Sequence, residues 1–165
     1  MVLNVMVSEG MAAFKQKLEA FCRFQCEQAL SADAAHAVTL GINEAVAAAG
    51  RAAFRAFVES KDVRCSEVSD GGETYRFKCV SEKTFMTFWG QESFRRSLYQ
   101  NKDDSRTFVP LDAAWGMGNQ FMVPEVREAC AFAHAQMTSG EAQALLEKCA
   151  LFHPHRTQIK RLSRD

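Results

Sequence analysis

Six polar side chains near the C-terminal end of the chain have the chemistry to bind a nucleic acid. They are Arg156, Thr157, Gln158, Lys160, Arg161 and Arg164. Arginine and lysine neutralise phosphates, which supply most of the affinity for DNA, whereas Arg and Gln side chains pair in two-pronged fashion with guanine and adenine. We therefore expect Lys160 and Arg164 to contact phosphate, and Arg156 and Gln158 to reach base edges.

The spacing of these residues fits one face of a helix. At about 100° per residue, Ile159 and Leu162 point one way, and the opposite face carries Arg156, Thr157, Lys160, Arg161 and Arg164. Such a helix has one side to pack and one to present to an anion. The alternative is a solvated surface helix whose basic residues bind nothing specific.

Two further helices precede this basic one. Pro124 suits the first position of a helix whose apolar stripe is Val126, Ala129, Cys130, Ala133 and Met137. Thr138 and Glu141 have the spacing of a capping box, which begins a second helix carrying Ala142, Leu145, Leu146 and Cys149. Residues 152–155 break that helix. Three short helices over 124–165, the last one basic, predict a helix-turn-helix.

The first third of the chain favours helix. Residues 8–61 are rich in Ala, Glu, Gln and Lys and contain no proline. Phe14, Leu18, Phe21 and Cys22 form one apolar set, and after a break at Ser31-Ala32-Asp33 a second set comprises Val38, Ile42, Val46, Ala49, Ala53 and Phe57. The spacings of three and four predict an antiparallel helical hairpin over 1–62, serving as a scaffold or a dimerisation surface.

The middle of the chain, residues 63–123, has the signals of strands. Asp70-Gly71-Gly72 is a turn signal, and Tyr75, Phe77 and Cys79 alternate with Arg76 and Lys78. A second apolar run covers 84–89, and residues 94–100 and 106–111 flank a polar turn that contains Asp103-Asp104. These patterns predict an antiparallel β meander, so that the whole chain belongs to the α+β class.

Four short segments of the sequence resemble motifs of a known protein family. They are Tyr75-Arg76-Phe77-Lys78, Phe94-Arg95-Arg96-Ser97-Leu98-Tyr99-Gln100, Val109-Pro110-Leu111-Asp112 and Pro124-Glu125-Val126-Arg127-Glu128-Ala129. Their order resembles the N-terminal part of a group of bacterial insertion-sequence transposases, over about residues 73–165. In that group an R-x-L-Y strand, a V-P-L-D-x-A-x-G loop and a P-E-x-R-E helix precede a helix-turn-helix.

The resemblance implies binding of transposon ends without catalysis by this chain. The family's acidic DDE triad lies on a ribonuclease-H-like domain that follows the helix-turn-helix, and this sequence ends at Asp165, inside the expected recognition helix. Related transposases often hold paired cysteines as a zinc ribbon, but Cys65 and Cys79 have no Cys-x-x-Cys partner. We therefore expect neither catalytic residues nor a metal site.

The other candidate residues favour structural roles. Cys22 and Cys26 are four apart on an expected helix, but no second ligand pair follows at zinc spacing. The four histidines lie in no nucleophile motif, and the glycines form no phosphate-binding loop. Asp103-Asp104 is interpreted as a turn. No cofactor is expected.

Overall composition is neutral about partners. Twenty Lys and Arg balance twenty Asp and Glu, but four cations oppose a single Asp over residues 151–165. Six irregularly spaced cysteines without an export signal favour a cytoplasmic protein, nucleoid-associated when bound to DNA, with no membrane segment.

The sequence therefore predicts a protein that binds double-stranded DNA at transposon ends and that forms a homo-oligomer if the N-terminal helices dimerise. The alternative is a protein-interaction module in which the helices at 8–61 bind a partner and the basic tip is incidental. An enzyme is the third hypothesis and would require an unrecognised catalytic pocket.

Overall fold

The computed structural model describes residues 31–162 and, nearer the N-terminus, residues 11–12, 14–16, 18–21 and 23, which are helical. Its helices are α1 (Ala32–Glu59), α2 (Pro110–Ala114), α3 (Pro124–Gln136), α4 (Ser139–Cys149) and α5 (Arg156–Arg161). Its strands are β1 (Glu67–Asp70), β2 (Glu73–Thr87), β3 (Gly90–Asn101) and β4 (Thr107–Phe108). The predicted mixture of helices with an antiparallel sheet is confirmed.

The strands form one antiparallel sheet in the order β1-β2-β3-β4. Gly71 and Gly72 make the predicted turn between β1 and β2, with φ of 58° and 85°, values at which a side chain would be strained. The first apolar run and residues 84–87 of the second belong to a single strand of 15 residues, and residues 88–89 form the turn after it. The pairing of β2 with β3 shifts between Phe77 and Cys79, so Lys78 is the extra residue of a β-bulge.

Helix α1 begins at the predicted break but buries a different face from the one predicted. The Ser31 hydroxyl accepts a hydrogen bond from the Ala34 N–H at 3.1 Å, which caps the helix. Of the predicted stripe, Ile42, Val46, Ala53 and Phe57 are exposed. The side that packs instead carries Phe54, whose ring lies 5.4 Å from that of Trp89 and 6.0 Å from that of Phe94, and Val58.

Ion pairs and ring contacts explain this orientation of α1. Arg51 donates to the Trp89 carbonyl at 2.7 Å, and Arg55 lies 3.0 Å from the Glu92 carboxylate on β3. A helix with alanine on every side has no strong preference for one face, so the large aromatic ring and the arginines decide. Nearer the N-terminus, Phe21 packs so closely on Gly41 that an added Cβ would lie 2.5 Å from the ring.

The edge of β3 is covered where α1 ends. The Glu59 carboxylate accepts the Arg95 N–H at 2.8 Å, and Asp62 accepts both the Ser97 N–H at 2.9 Å and the Ser97 hydroxyl at 2.7 Å. An uncovered strand edge would offer these N–H groups to another chain.

The three C-terminal helices share one core with the sheet. Residues of α3, α4 and α5 pack in the same cluster as β2 and β3: Val126, Cys130, Ala133, Ala142, Leu146, Phe152, Ile159, Phe85, Met86 and Phe94. Pro124 opens α3, and Thr138 forms the predicted capping box with Glu141. The predicted face of α4 is partly wrong, because Leu145 and Cys149 are exposed. No helix in the described part of the chain is long and apolar enough to cross a membrane.

The two neighbouring leucines of α4 provide a test of this packing. Leu146 is buried whereas Leu145 is 43% exposed, so Leu146→Ala should cost about 2–5 kcal/mol of unfolding free energy. The matched variant Leu145→Ala should change it by about 0.5 kcal/mol or less. Urea unfolding followed by circular dichroism measures both, and equal losses would contradict the orientation of α4.

The cysteines provide a second test. Cys130 is buried, and burial raises the pKa of its thiol to about 11, whereas Cys65, Cys79 and Cys149 are exposed. Because the thiolate is the reactive form, iodoacetamide at pH 8 should label Cys149 and leave Cys130 unmodified until urea unfolds the protein. Peptide mass spectrometry measures this; early labelling of Cys130 would show that the core is open.

Candidate nucleic-acid interface

Helix α5 has the apolar and basic sides that its sequence predicted. Ile159 is completely buried and Leu162 is partly buried. Four of the predicted DNA-binding residues are exposed: Arg156, Thr157, Lys160 and Arg161. Gln158 is partly buried, and Arg164 lies outside the described residues. The helix therefore presents three cations on the surface of the three-helix unit.

Side chains around its first turn hold α5 in place. Gln158 Oε1 accepts the His155 N–H at 2.8 Å, and the His155 ring accepts the Thr157 N–H at 3.3 Å, which together make a capping box. The Gln143 side chain on α4 accepts the Arg156 N–H at 3.0 Å. These bonds satisfy N–H groups that a helix start leaves without partners. They also hold the Gln158 amide against the backbone.

The linker between α4 and α5 anchors the helix to the sheet. Phe152 and Pro154 are buried, and the Phe152 ring lies 5.2 Å from that of Phe88 at the tip of the β2–β3 hairpin. His153 and His155 are exposed in the same linker. A helix of six residues is too short to be stable alone, so this packing fixes the direction in which its arginines and lysine point.

Positive charge is concentrated on α5 rather than spread over the C-terminal helices. Residues 124–162 contain five Lys or Arg and four Glu, and three of the five cations lie on α5, which has no acidic residue. The first turn of α4 carries an acidic residue, Glu141. Hydrogen bonds from Thr138 hold the pKa of Glu141 below its usual range, so this end of α4 is negative. The favourable field for an anion is therefore local.

The structure also contains a buried ion pair that sequence reasoning missed. Arg96 on β3 donates to the Asp112 carboxylate on α2, and both residues are at least nine-tenths buried. Lys83 Nζ lies 3.8 Å from the same carboxylate and donates to the Gly118 carbonyl at 2.9 Å. The three side chains tie the loop after α2 to the sheet.

The partners belong to two of the four segments singled out in the sequence. Arg96 is the arginine of R-x-L-Y and Asp112 is the aspartate of V-P-L-D. The sequence did contain a signal for this buried pair. Arg96 lies between Phe94 and Leu98, at a position of the alternating strand where an inward-facing apolar residue is expected. A charged side chain at such an inward-facing position needs a buried partner of opposite charge.

The loop that these cations hold leads directly into α3. After Gly118, the Phe121 carbonyl accepts a hydrogen bond from the Met86 N–H at 2.8 Å, and the Val123 N–H donates to the Met86 carbonyl at 3.0 Å. Met122 thereby forms a parallel bridge with β2. The ion pair does not lie on the basic surface, so we interpret it as a positioning contact for the helices that follow.

The other polar groups form structural contacts. Asp104 accepts the Arg106 N–H at 3.0 Å in the predicted turn, and Arg106 also pairs with Glu73, which holds the pKa of Glu73 below its usual range. Tyr99, whose pKa is raised by burial, donates to the Val63 carbonyl at 2.7 Å. No three His, Cys, Asp or Glu side chains of the described residues are grouped to bind a metal. Cys22 and Cys26 lie outside those residues.

Replacing the buried pair tests its role. Asp112→Leu alone should cost about 3–5 kcal/mol, because it leaves the buried Arg96 without its partner. Arg96→Met alone should cost less, because Lys83 remains 3.8 Å from the Asp112 carboxylate. The double variant should regain most of that loss. Urea unfolding of all four proteins gives the coupling energy. The control is Glu67→Gln, which removes an exposed pair with Arg76 and should cost less than about 1 kcal/mol; additive losses in the double variant would contradict the pairing.

No protein-family model matches this chain, and no curated protein sequence matches it significantly. The candidate interface therefore rests on the geometry of α5 and on the four sequence segments.

Proposed function

We propose that this protein binds double-stranded DNA at transposon ends through the exposed face of α5, without catalysing strand cleavage itself. The observation that carries the proposal is the two-sided helix α5, with Ile159 completely buried and Arg156, Lys160 and Arg161 exposed around it. A packed helix with a cationic outer face can enter a DNA groove without disturbing the core.

The arrangement of the three helices supports a helix-turn-helix. A two-residue turn separates α3 from α4, a six-residue linker separates α4 from α5, and the helices share a core. In this proposal α5 is the recognition helix, and α3 and α4 are its supports. The antiparallel sheet and α1 act as scaffold.

The contacts of α5 refine the roles of the individual residues. Arg156, Lys160 and Arg161 are assigned to DNA, with Lys160 and Arg161 on phosphates. Gln158 would contribute less than its sequence suggested, because its Oε1 already accepts the His155 N–H. Reading adenine with the same amide would weaken the cap or require the second lone pair of that oxygen. Arg156 is therefore the better candidate for a base contact.

The resemblance to insertion-sequence transposases indicates which DNA the protein would bind. Those proteins recognise the ends of their element with this region and cut DNA with a following acidic domain. The proposed role of this chain is the recognition step, in the cytoplasm at the nucleoid. Strand cleavage and joining would require such a catalytic domain, on the same chain or supplied in trans.

A salt titration separates this proposal from non-specific attraction. The protein is titrated by fluorescence anisotropy onto labelled duplexes from the genomic DNA flanking its gene, with scrambled duplexes of equal composition as competitors. Lys160→Ala should weaken binding to every duplex and reduce the slope of log K against log salt by about 0.9. Arg156→Ala should in addition lose about 1–3 kcal/mol of discrimination between cognate and scrambled DNA.

The control is Lys102→Ala, an exposed lysine in the turn between β3 and β4. It should leave both affinity and slope unchanged. If the wild-type protein binds no flanking duplex better than a scrambled one, or if the Lys102 variant has the same effect as the Lys160 variant, the recognition-helix proposal is wrong. The protein-interaction alternative would then replace it.

A further inference from the structure

The long helix α1 has an apolar stripe that the described part of the chain leaves largely exposed. The stripe is the set whose burial was predicted from the sequence: Val38, Ile42, Val46, Ala49, Ala53 and Phe57. Four of the six are exposed, and Val38 and Ala49 are partly buried. Ile42 and Val46 are each 41% exposed and Phe57 is 53% exposed. Soluble proteins seldom leave such a regular apolar row in water unless it binds something.

Among the described residues, neither the sheet nor the N-terminal helical residues cover the exposed members of this stripe. At about 100° per residue, the centre of the stripe is about 130° around the helix from the sheet-facing residues Phe54 and Val58. The N-terminal helical residues Leu18 and Phe21 lie against Gly41 and Ala45, which are on a third side of α1. The stripe is thus a separate surface, and none of its six residues carries a charge or a hydrogen-bonding side chain.

The spacing of the stripe points to its occupant. Successive members are separated by 4, 4, 3, 4 and 4 residues, a series that is the same in both directions. In an antiparallel pair with its two-fold axis between Ala47 and Ala48, every stripe residue of one copy therefore faces a stripe residue of the other. We infer that this surface binds a second copy of the same chain, with the two α1 helices antiparallel.

Side-chain volumes favour the antiparallel over the parallel arrangement. The antiparallel pair matches Ile42 with Ala53 and Val46 with Ala49, so that at the four central contacts a larger side chain meets a small one, and it matches Val38 with Phe57 at the two ends. A parallel pair would place Ile42 on Ile42 and Ala53 on Ala53, which alternates crowding with gaps. Mutual contacts of this kind are those of an isologous two-fold interface.

The area sets the expected strength. The stripe runs from Val38 to Phe57, so it is about 30 Å long and about 10 Å wide. This is about 300 Å² in projection, below the roughly 800 Å² that each partner contributes to a standard interface. A shallow apolar groove beside Phe57, lined by Phe54, Leu111 and Trp115, can extend it. We expect a dimer that dissociates in the micromolar range.

Sedimentation equilibrium of the whole chain tests the dimer. The wild-type protein should show a monomer–dimer equilibrium, and Val46→Glu should weaken it by about tenfold or more, because the carboxylate would be buried without a partner. The control is Leu40→Glu, at an exposed leucine of the same helix outside the stripe. It should leave the dissociation constant within about twofold. Circular dichroism melting confirms that both variants are folded.

Cross-linking of mixed chains tests the direction. All native cysteines except the buried Cys130 are replaced by serine, and Ile42→Cys is introduced into a tagged chain and Ala53→Cys into an untagged one. In the antiparallel pair, position 42 of one chain faces position 53 of the other within disulfide reach, whereas the two copies of position 42 lie about 16 Å apart along the helix. Oxidation of the mixture should therefore give only tagged–untagged dimers.

Each contrary result overturns a defined part of the inference. A wild-type monomer at all concentrations, or equal effects of Val46→Glu and Leu40→Glu, would eliminate the interface. A monomeric wild type whose Val46→Glu variant also melts at lower temperature would show that the stripe is covered from within the chain. Self-cross-linking of the Ile42→Cys chain alone would mean a parallel pair. These measurements need no DNA, so their outcome is independent of the recognition-helix proposal.

Discussion

Packing on the closed end of the β2–β3 hairpin is the interaction that joins the helices to the sheet. Phe85, Met86 and Phe94 are almost completely buried there, and helices from both ends of the chain pack on them. The Phe85 ring lies 5.8 Å from that of Phe94 and 5.7 Å from that of Trp115. Met86 adds two backbone hydrogen bonds to the segment that enters α3. Loss of this end would release α1, the loop after α2 and the C-terminal helices together.

The basic surface is a product of that packing. Six residues are too few for a stable isolated helix, and α5 exists because Ile159 and Phe152 fill the shared core while His155, Gln158 and Gln143 satisfy its first N–H groups. The orientation of Arg156 and Lys160 therefore depends on contacts far along the chain. The same requirement makes Gln158 a capping residue first and a candidate base-reading residue second.

The buried Arg96–Asp112 pair shows how the loop after α2 is positioned. A hydrophobic pair of similar volume would often be as stable as such an ion pair. The charged pair is directional, however: together with Lys83 it holds the Gly118 carbonyl and the Asp112 carboxylate at fixed places on the sheet. We interpret it as the device that sets the path of the chain toward α3, because an apolar contact would allow sliding.

The sequence by itself determined those features that depend on residues three or four positions apart. The Ser31 cap, the turn at Gly71 and Gly72, the capping box at Thr138 and the proline start of α3 were all predicted, as were the two sides of α5. The caps, the turn and the proline start are local interactions, whereas the two sides of α5 follow from residue spacing alone and its stability depends on the shared core. The antiparallel, mixed class followed from the change of apolar period near residue 63.

Only the tertiary structure decided which apolar side chains are buried and which charges meet. Helix α1 is rich in alanine on all sides, so periodicity could not choose between the sheet-facing Phe54 and the exposed row at Ile42 and Val46. Leu145 and Leu146 are equally apolar, and the shared core buries only Leu146. Arg96 and Asp112 lie 16 residues apart. Contacts between distant segments depend on the geometry of the assembled core, which no local pattern encodes.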